Sequence, residues 1–323
     1  MALTTAQIQN LLVEWGVTQS PAIIADLIKK SGILETALIA KASHGFKHKY
    51  KFFNELPAAS FRAIGGSVIP VTLSKDRAAI DLWNAITYLK ADYKDVEENP
   101  GGKDGWVGVN MPAAVQGFGQ TIAKQLIYGT DPTFGSTTGF LGLHQYAKAN
   151  SNVVHQLAGT TASRSTLFAV RWDEFDGASI RIGTNDSGQL IGVRDLTPTN
   201  PITTVTNTTT GAESIDYKWL IEAFLALIIP SKTSVAAITQ IDDSHLPTVL
   251  QVNNLIDAVD TGSGRIVLYG NSKVKNGLFN LKNTALSMVP GDTDYNTQIL
   301  SWNGMAEFKL DQNMLATETT VLD

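Results

Sequence analysis

Three stretches of the chain predict an α+β fold. The first is a helix–strand–helix unit from Leu246 to Leu281. Val249, Val252, Ile256 and Val259 fall on one helical face, Gly264 and Gly270 bracket the apolar run from Arg265 to Tyr269, and Ser272 caps a helix carrying Val274, Leu278 and Leu281. A buried strand between two amphipathic helices needs a sheet with helices on one face. The second is a helical stripe of Val115, Phe118, Ile122 and Leu126. Asn110 serves as its N-cap, Pro112 lies in its first turn and Gly129 stops it. The third is Asn303-Gly304 between the apolar runs Gln298–Trp302 and Met305–Leu310, a hairpin signal because both turn positions tolerate positive φ.

Composition narrows the class. A chain of 323 residues is one large or two intergrown domains, and its 43% apolar fraction supplies a substantial core. Only 17% of residues are charged, which fits a surface that largely meets other protein. The net charge of -5 excludes a nucleic-acid binder by bulk charge. With no cysteine there is no disulfide framework, thiolate zinc site or cysteine nucleophile, in keeping with a cytosolic product. Met1 to Gly16 has no basic start followed by an apolar block, so it does not read as a signal peptide. The best candidate for a membrane span, Trp219–Ile229, is shorter than the roughly 20 residues required and contains Glu222. It reads as a buried core segment.

Along the chain, Leu3, Ile8, Leu11 and Leu12 suggest a short helix closed by Gly16, and a second runs from Pro21 to Lys30, ended by Gly32. These make an arm rather than a packed domain. Lys41, Lys47, Lys49 and Lys51, with His44 and His48, form a run without acids, either a contact for nucleic acid or an acidic partner or a solvated face. From Phe52 to Val71 the chain reads as extended. Gly65-Gly66 marks a hairpin tip, and Pro57 and Pro70 suit an edge or a projecting loop because proline offers no amide hydrogen. Asp76–Glu98 can be written two ways: Leu82, Ile86, Leu89 and Tyr93 have helical spacing, while Trp83, Ala85, Thr87 and Leu89 form one strand face. Asn99 to Gly102 ends it. The helix from about 110 to 128 is a rod of roughly 27 Å. Gly117 and Gly119 inside it cost on the order of 1 kcal/mol each, a cost that close approach of another backbone would explain. Thr166–Trp172 is a strand, and Gly177–Ser214 carries short strands and turns.

Chemistry is sparse. Asp260-Thr261-Gly262-Ser263 and Asp186-Ser187-Gly188 resemble the paired loops of aspartic peptidases, in which two carboxylates share one proton. However, Asp260 ends a helical stripe and precedes a strand, and the two motifs are too close in sequence for two lobes. The Asp260 stretch is equally an ordinary helix-to-strand turn. His44 and His48 are four apart, a spacing for a metal on a helix, but they lie among lysines and Gly45 weakens the helix. His144, His155 and His245 stand alone. Asp242-Asp243 caps the following helix, and Asp92, Asp95, Glu97 and Glu98 form a solvated end or a face for a basic patch on a neighbouring subunit. No nucleophile–base pair, cofactor motif or metal set emerges, and the expectation is a non-enzyme without cofactors.

Several blocks, in order, carry a family resemblance across most of residues 45–323. They are Phe61 to Gly66; Gln120 to Gly129 with Phe134 and Gly139–Leu143; Thr166 to Trp172 with the glycine-rich stretch to Leu196; Asp216 to Trp219; and Ile299–Gly304 through Leu315–Glu318. Together they resemble the major capsid proteins of tailed bacteriophages, of the Hong-Kong-ninety-seven-type capsid fold. One departure follows Trp219, where relatives often carry a charged strand and this chain is apolar. The resemblance implies an N-terminal arm over 1–44, an extended loop over 45–76, and a peripheral domain over 77–175 holding a spine helix. It further implies a mainly axial domain over 176–295 and a closing hairpin and tail over 296–323. Much of Ala78 to Val96 would then be strand. The implied function is assembly of pentamers and hexamers into an icosahedral head enclosing phage DNA, with Lys47, Lys49, Lys51, Arg62, Gly65 and Gly66 as subunit or DNA contacts. Implied partners are further copies, portal and scaffolding functions, a decoration protein and packaged double-stranded DNA, with no membrane. The location implied is the virion, after assembly in the host cytoplasm. The alternatives are another phage structural protein such as a tail tube, and a peptidase using Asp260 and Asp186.

Overall fold

The computed structural model describes residues 31–53, 64, 75–131, 137–159, 164–183, 191–207, 212–280, 286–289, 299–302 and 304–318. The helices expected before Lys30, the loop tip with Arg62, Gly65 and Gly66, Asp186, Leu281 and Asn303 lie outside the described residues. In chain order the first elements are α1 (Gly32–Thr36), β1 (Ile39–Lys41), β2 (Lys47–Phe53), β3 (Lys75–Asp81), β4 (Trp83–Asp92), α2 (Tyr93–Glu98) and α3 (Gly102–Tyr128). Next come α4 (Leu143–Ala149), β5 (Val153–Gln156), β6 (Ser165–Trp172), β7 (Ser179–Ile182), β8 (Ile191–Asp195), β9 (Ile202–Asn207), β10 (Ala212–Ile228) and β11 (Val235–Ile241). The last are α5 (Val249–Val259), β12 (Arg265–Gly270), α6 (Ser272–Asn280), β13 (Leu286–Val289), β14 (Ile299–Trp302) and β15 (Ala306–Leu310).

The helix–strand–helix unit predicted from the sequence is part of a seven-stranded sheet in the order β13-β14-β15-β12-β6-β11-β5. Strand β6 is buried along its whole length because both faces are covered. Leu167 and Ala169 point to Val252, Leu255, Ile256 and Val259 of α5 and to Val274 and Leu278 of α6. Phe168, Val170 and Trp172 point the other way, into the larger cluster with the end of α3. That is the two-residue alternation of a pleated strand. Helix α5 begins with a capping box in which Thr248 Oγ1 accepts from Gln251 N–H and Gln251 Oε1 accepts from Thr248 N–H. Two expected caps differ. Asp242 does not cap this helix; its carboxylate instead folds a turn by accepting from Ser244 and His245 N–H. At α6 the capping oxygen is Asn271 Oδ1, which accepts from Val274 N–H, rather than Ser272.

The second sheet is centred on β10, a strand of 17 residues. β4 runs antiparallel along one edge of it from Asp216↔Asp92 to Leu225↔Trp83, and β7, β8 and β9 share the other edge. The apolar stretch after Trp219 is thus a buried central strand. Trp219, Ile221, Ala223 and Leu225 alternate onto the face that joins the main core. On the opposite face Glu222 is satisfied by an ion pair with Arg194. Asp76–Glu98 resolves as β3, β4 and α2, with Leu82 buried at the corner between the strands and Asp92 Oδ1 accepting from Lys94 N–H at the start of α2. The strand reading holds because β10 supplies ten paired positions, which a lone helical stripe cannot match.

Helix α3 corrects the predicted start at Asn110. It has 27 residues, roughly 40 Å at 1.5 Å per residue, and begins at Gly102. Asn110 is inside it, with its side-chain amide donating to Trp106 O. Pro112 is interior too, and Gly101, at φ +91°, occupies the cap position. The extra turns are held by tertiary contacts. Trp106 stacks on Trp219 at 5.2 Å and 14°, and Lys103 lies over the Tyr217 ring at 4.9 Å while pairing with Asp195 at 2.6 Å. Tertiary packing here overrides the low propensity of Gly102, Gly105 and Gly108. Gly129, at φ +66°, ends the helix as expected.

Candidate assembly surfaces

The lysine run expected to make contacts lies at the root of a two-stranded hairpin. β2 pairs antiparallel with β3 in the register Lys47↔Asp81, Lys49↔Ala79 and Lys51↔Arg77. The period of two puts Lys47 and Lys49 on one face and His48 and Tyr50 on the other. Lys49 is exposed, and Lys47 makes a surface pair with Asp81 at 3.0 Å. The stem is seated on the β10 sheet by Phe46, whose ring meets Phe224 edge-on at 4.9 Å, and by Leu82, whose N–H donates to Phe46 O. Gly183 permits this approach, since a Cβ there would collide with Gly45 O. Arg62, Gly65 and Gly66 lie outside the described residues.

Two further surfaces carry little internal pairing. On α2 and its N-cap, Asp92, Asp95, Glu97 and Glu98 are all exposed, which makes a compact acidic end. On β4, an edge strand among the described residues, Ile86 and Tyr88 are 46% and 60% exposed on one face. Large apolar side chains exposed on a sheet edge mark protein contact.

The possible catalytic motif has a structural explanation. Asp260 follows α5, its N–H donating to Ile256 O, and Gly262 to Gly264 wrap the buried Arg171 guanidinium. Arg171 Nη1 donates to Ser263 O at 2.7 Å and to Asp176 at 3.0 Å. The glycines are there because a Cβ on Gly262 would press on Arg171 and one on Gly264 would press on Trp172 O. His44 and His48 lie in a turn and a strand rather than on a helix, and both are engaged by Ser43. Among the described residues no cluster of metal-ligand type forms, and no helix is long and apolar enough to cross a membrane.

Sequence reasoning missed a buried polar cluster that ties the C-terminal segment to both α3 and β6. Glu318 accepts from Thr166 Oγ1 at 2.5 Å and from Tyr128 at 3.2 Å, and its backbone is held by Arg164. Leu315 N–H donates to Tyr128 Oη at 2.7 Å. Burial pushes the Glu318 carboxyl up to about 7, against the opposing pull of its hydrogen bonds and Arg164. The neighbouring His144 is held down at about 4, chiefly by burial.

Fold and surfaces together describe a subunit with exposed charged and apolar faces for meeting further protein. A chain of the bacteriophage Epsilon15 structure superposes with a TM-score of 0.59 at 18% identity, covering 88% of this chain and 88% of that one. The bacteriophage JBD30 capsid does so at 0.51 and 11% identity, covering 93% and 97%. At such identities the likeness is one of fold. No curated protein sequence matches the chain. The sequence itself matches the major capsid protein GP7 family over residues 17–322, and the chain belongs to that family. As a member it is a structural protein of the virion capsid. The tail-tube and peptidase alternatives fall with that assignment.

Proposed function

We propose that the shell is built from pentamers and hexamers of this chain, with charge pairing between subunits as one of its guides. In this reading residues 176–295 lie mainly towards the local symmetry axes as an axial domain. Residues 77–175 form the peripheral domain around the spine helix α3, with 296–323 returning to it. The arm (1–44) and the loop (45–76), including Arg62, Gly65 and Gly66, reach over neighbouring copies from roots held on this subunit, where Ile33 is buried, β1 pairs with β7 and Phe46 packs on Phe224. Many modest contacts repeated by cyclic symmetry then close the shell. The observation that carries this reading is the separation of charge within one chain: Lys47 and Lys49 on the hairpin stem and the acidic end at α2 are all solvent-exposed. Each finds its complement on a second copy, and the lysines can instead meet an acidic scaffolding partner. Packaged DNA would meet the inner face through non-specific contacts, because a subunit of net charge -5 has no need to grip it tightly. Portal and decoration proteins complete the set of partners, and assembly takes place in the host cytoplasm.

The test is electron microscopy of the purified recombinant chain, with and without its scaffold. Closed shells are expected from the wild type. Reversing Lys47, Lys49 and Lys51 to glutamate is expected to cut particle yield severalfold, and reversing Asp95, Glu97 and Glu98 to lysine in the same chain to restore it. Unchanged yield in the lysine variant would remove the charge-pairing role. Persistent monomers from the wild type with scaffold present would remove the assembly mode.

A further inference from the structure

Between β6 and β7 the loop Asp173–Gly177 is tethered along its length yet carries a phenyl ring into solvent. Asp173 Oδ1 accepts from Phe175 N–H at 2.8 Å and from Asp176 N–H at 3.3 Å, so the aspartate folds the turn on itself. Arg181 Nη2 donates to Glu174 O at 2.8 Å and Ser234 Oγ donates to Asp176 O at 3.0 Å. The buried Arg171 guanidinium holds the Asp176 carboxylate at 3.0 Å. A Cβ on Gly177 would press on Asp173 N, which shows how tightly the loop closes. At its centre Phe175 is 84% exposed. A single exposed apolar side chain is ordinary on a protein surface. What sets this one apart is the number of tethers beneath it and the half-exposed acids Glu174 and Asp176 on either side. An aromatic ring held on an already ordered loop loses little freedom on binding, which is the character of an interface anchor.

The complement of an apolar ring between two carboxylates is an apolar surface between two cations, and the β10 sheet presents one. Ala85 and Leu89 pack on the main core, so Ile86, Tyr88 and Lys90 point to the opposite face. Arg194 of β8 joins them there, because Tyr88 and Arg194 both pair with Leu220 from its two sides. Two acids belong to this face as well, but each lies under its cation. Glu222 pairs with Arg194 and is 7% exposed, and Asp216 pairs with Lys90 at 2.9 Å and is 2% exposed. Apolar side chains flanked by positive charge are what reach solvent. The loop and this face do not meet within one subunit. Ser179, where the loop re-enters the sheet, pairs with Ile228, whereas Tyr88 pairs with Leu220 on the other edge of β10, roughly 26 Å along the strand. We propose that the Phe175 loop of one copy docks on the Ile86–Tyr88 face of the next, with Glu174 and Asp176 towards Lys90 and Arg194. The contact joins two different patches, so it runs head to tail and closes a ring when repeated about an axis. It rests on the assembly from further copies proposed above, and supplies a specific contact within its pentamers and hexamers.

The chain has no cysteine, so introduced thiols report the contact without background. Chains carrying Glu174→Cys are mixed with chains carrying Asn84→Cys, which lies on the receiving face of β4, and assembled with scaffold. Closed shells are then treated with a short bismaleimide. Cross-linked dimers are expected from the mixture and none from either variant alone, while both substitutions in one chain should give a ladder of higher oligomers. Closed shells without cross-links would overturn the contact and leave the assembly reading standing. Cross-linked dimers from Asn84→Cys alone would also overturn it, since the face would then meet its own copy. Wild-type chains that form no shells with scaffold would remove both. Phe175→Ala gives a second readout. The free subunit is expected to melt as the wild type does, because the ring is exposed, while the subunit concentration needed for shells rises at least about tenfold, as on losing an interface anchor. Shell formation at the wild-type concentration would overturn the proposal, as would a lowered melting temperature, which would place the ring in the subunit's own packing.

Discussion

Tyr128 touches two buried titratable groups whose effects on stability run in opposite directions. Glu318 rises from an ordinary 4.5 to about 7 on folding. The stability it supports is fully present below pH 4.5 and is lost as pH rises to 7, about 3 kcal/mol in all. His144 falls from 6.5 to about 4, so its contribution is present above pH 6.5 and is lost as pH falls to 4. Between pH 4.5 and 6.5 the two slopes offset each other. Glu318→Gln keeps a neutral hydrogen-bonding group and removes one slope. The melting temperature of the variant subunit is therefore expected to climb with pH from 4.5 to 6.5 where the wild type is flat, and to exceed the wild type above pH 7. A variant profile that overlays the wild type would exclude Glu318 as the titrating group. None of this was legible in the sequence, because the partners of Glu318 are Thr166 and Tyr128, 152 and 190 positions away. Arg171 was hidden for the same reason. The Asp-Thr-Gly-Ser stretch suggested chemistry when its glycines were making room for a buried guanidinium from another strand.

Among the elements, legibility followed the reach of the forces involved. The Leu246–Asn280 unit and β6 were readable because periodicity decides them, and the Gly129 stop because a positive-φ glycine ends a helix locally. The first eight residues of α3 were not, because Gly102 and Gly105 argue against a helix locally and only Trp219, Tyr217 and Asp195, more than ninety positions away in sequence, hold them in one. Gly117 was expected to be a point of close backbone approach. Within this chain nothing among the described residues lies within 4 Å of where its Cβ would be, and its φ is not positive. Gly117→Ala should therefore stabilise the free subunit by about 0.5–1 kcal/mol, since alanine loses less conformational freedom in a helix. Chemical denaturation checks this directly. If the open space belongs to another copy in the shell, the same variant will assemble less well although its subunit is more stable. A loss of subunit stability would mean that an internal contact governs the site.

At the scale of the whole molecule, α3 contacts both sheets. Its first turns lean on β10 through Trp106 and Lys103, and its last residue is tied to β6 and the C-terminal segment through Tyr128. In the proposed shell, charged and apolar contacts between copies respond to salt in opposite ways. Charged contacts between exposed groups are screened as salt rises, with a Debye length of about 10 Å at 0.1 M and about 3 Å at 1 M. Apolar contacts through Ile86 and Tyr88 on β4 keep their strength or gain as salt rises. If the lysine face of β2 meets the acidic end at α2 during assembly, light scattering should show shell formation slowing severalfold from 0.1 to 1 M sodium chloride. Shells already closed should persist, because their apolar contacts are by then buried. Assembly that accelerates with salt would assign the encounter to the β4 edge and leave the lysines with no part in it.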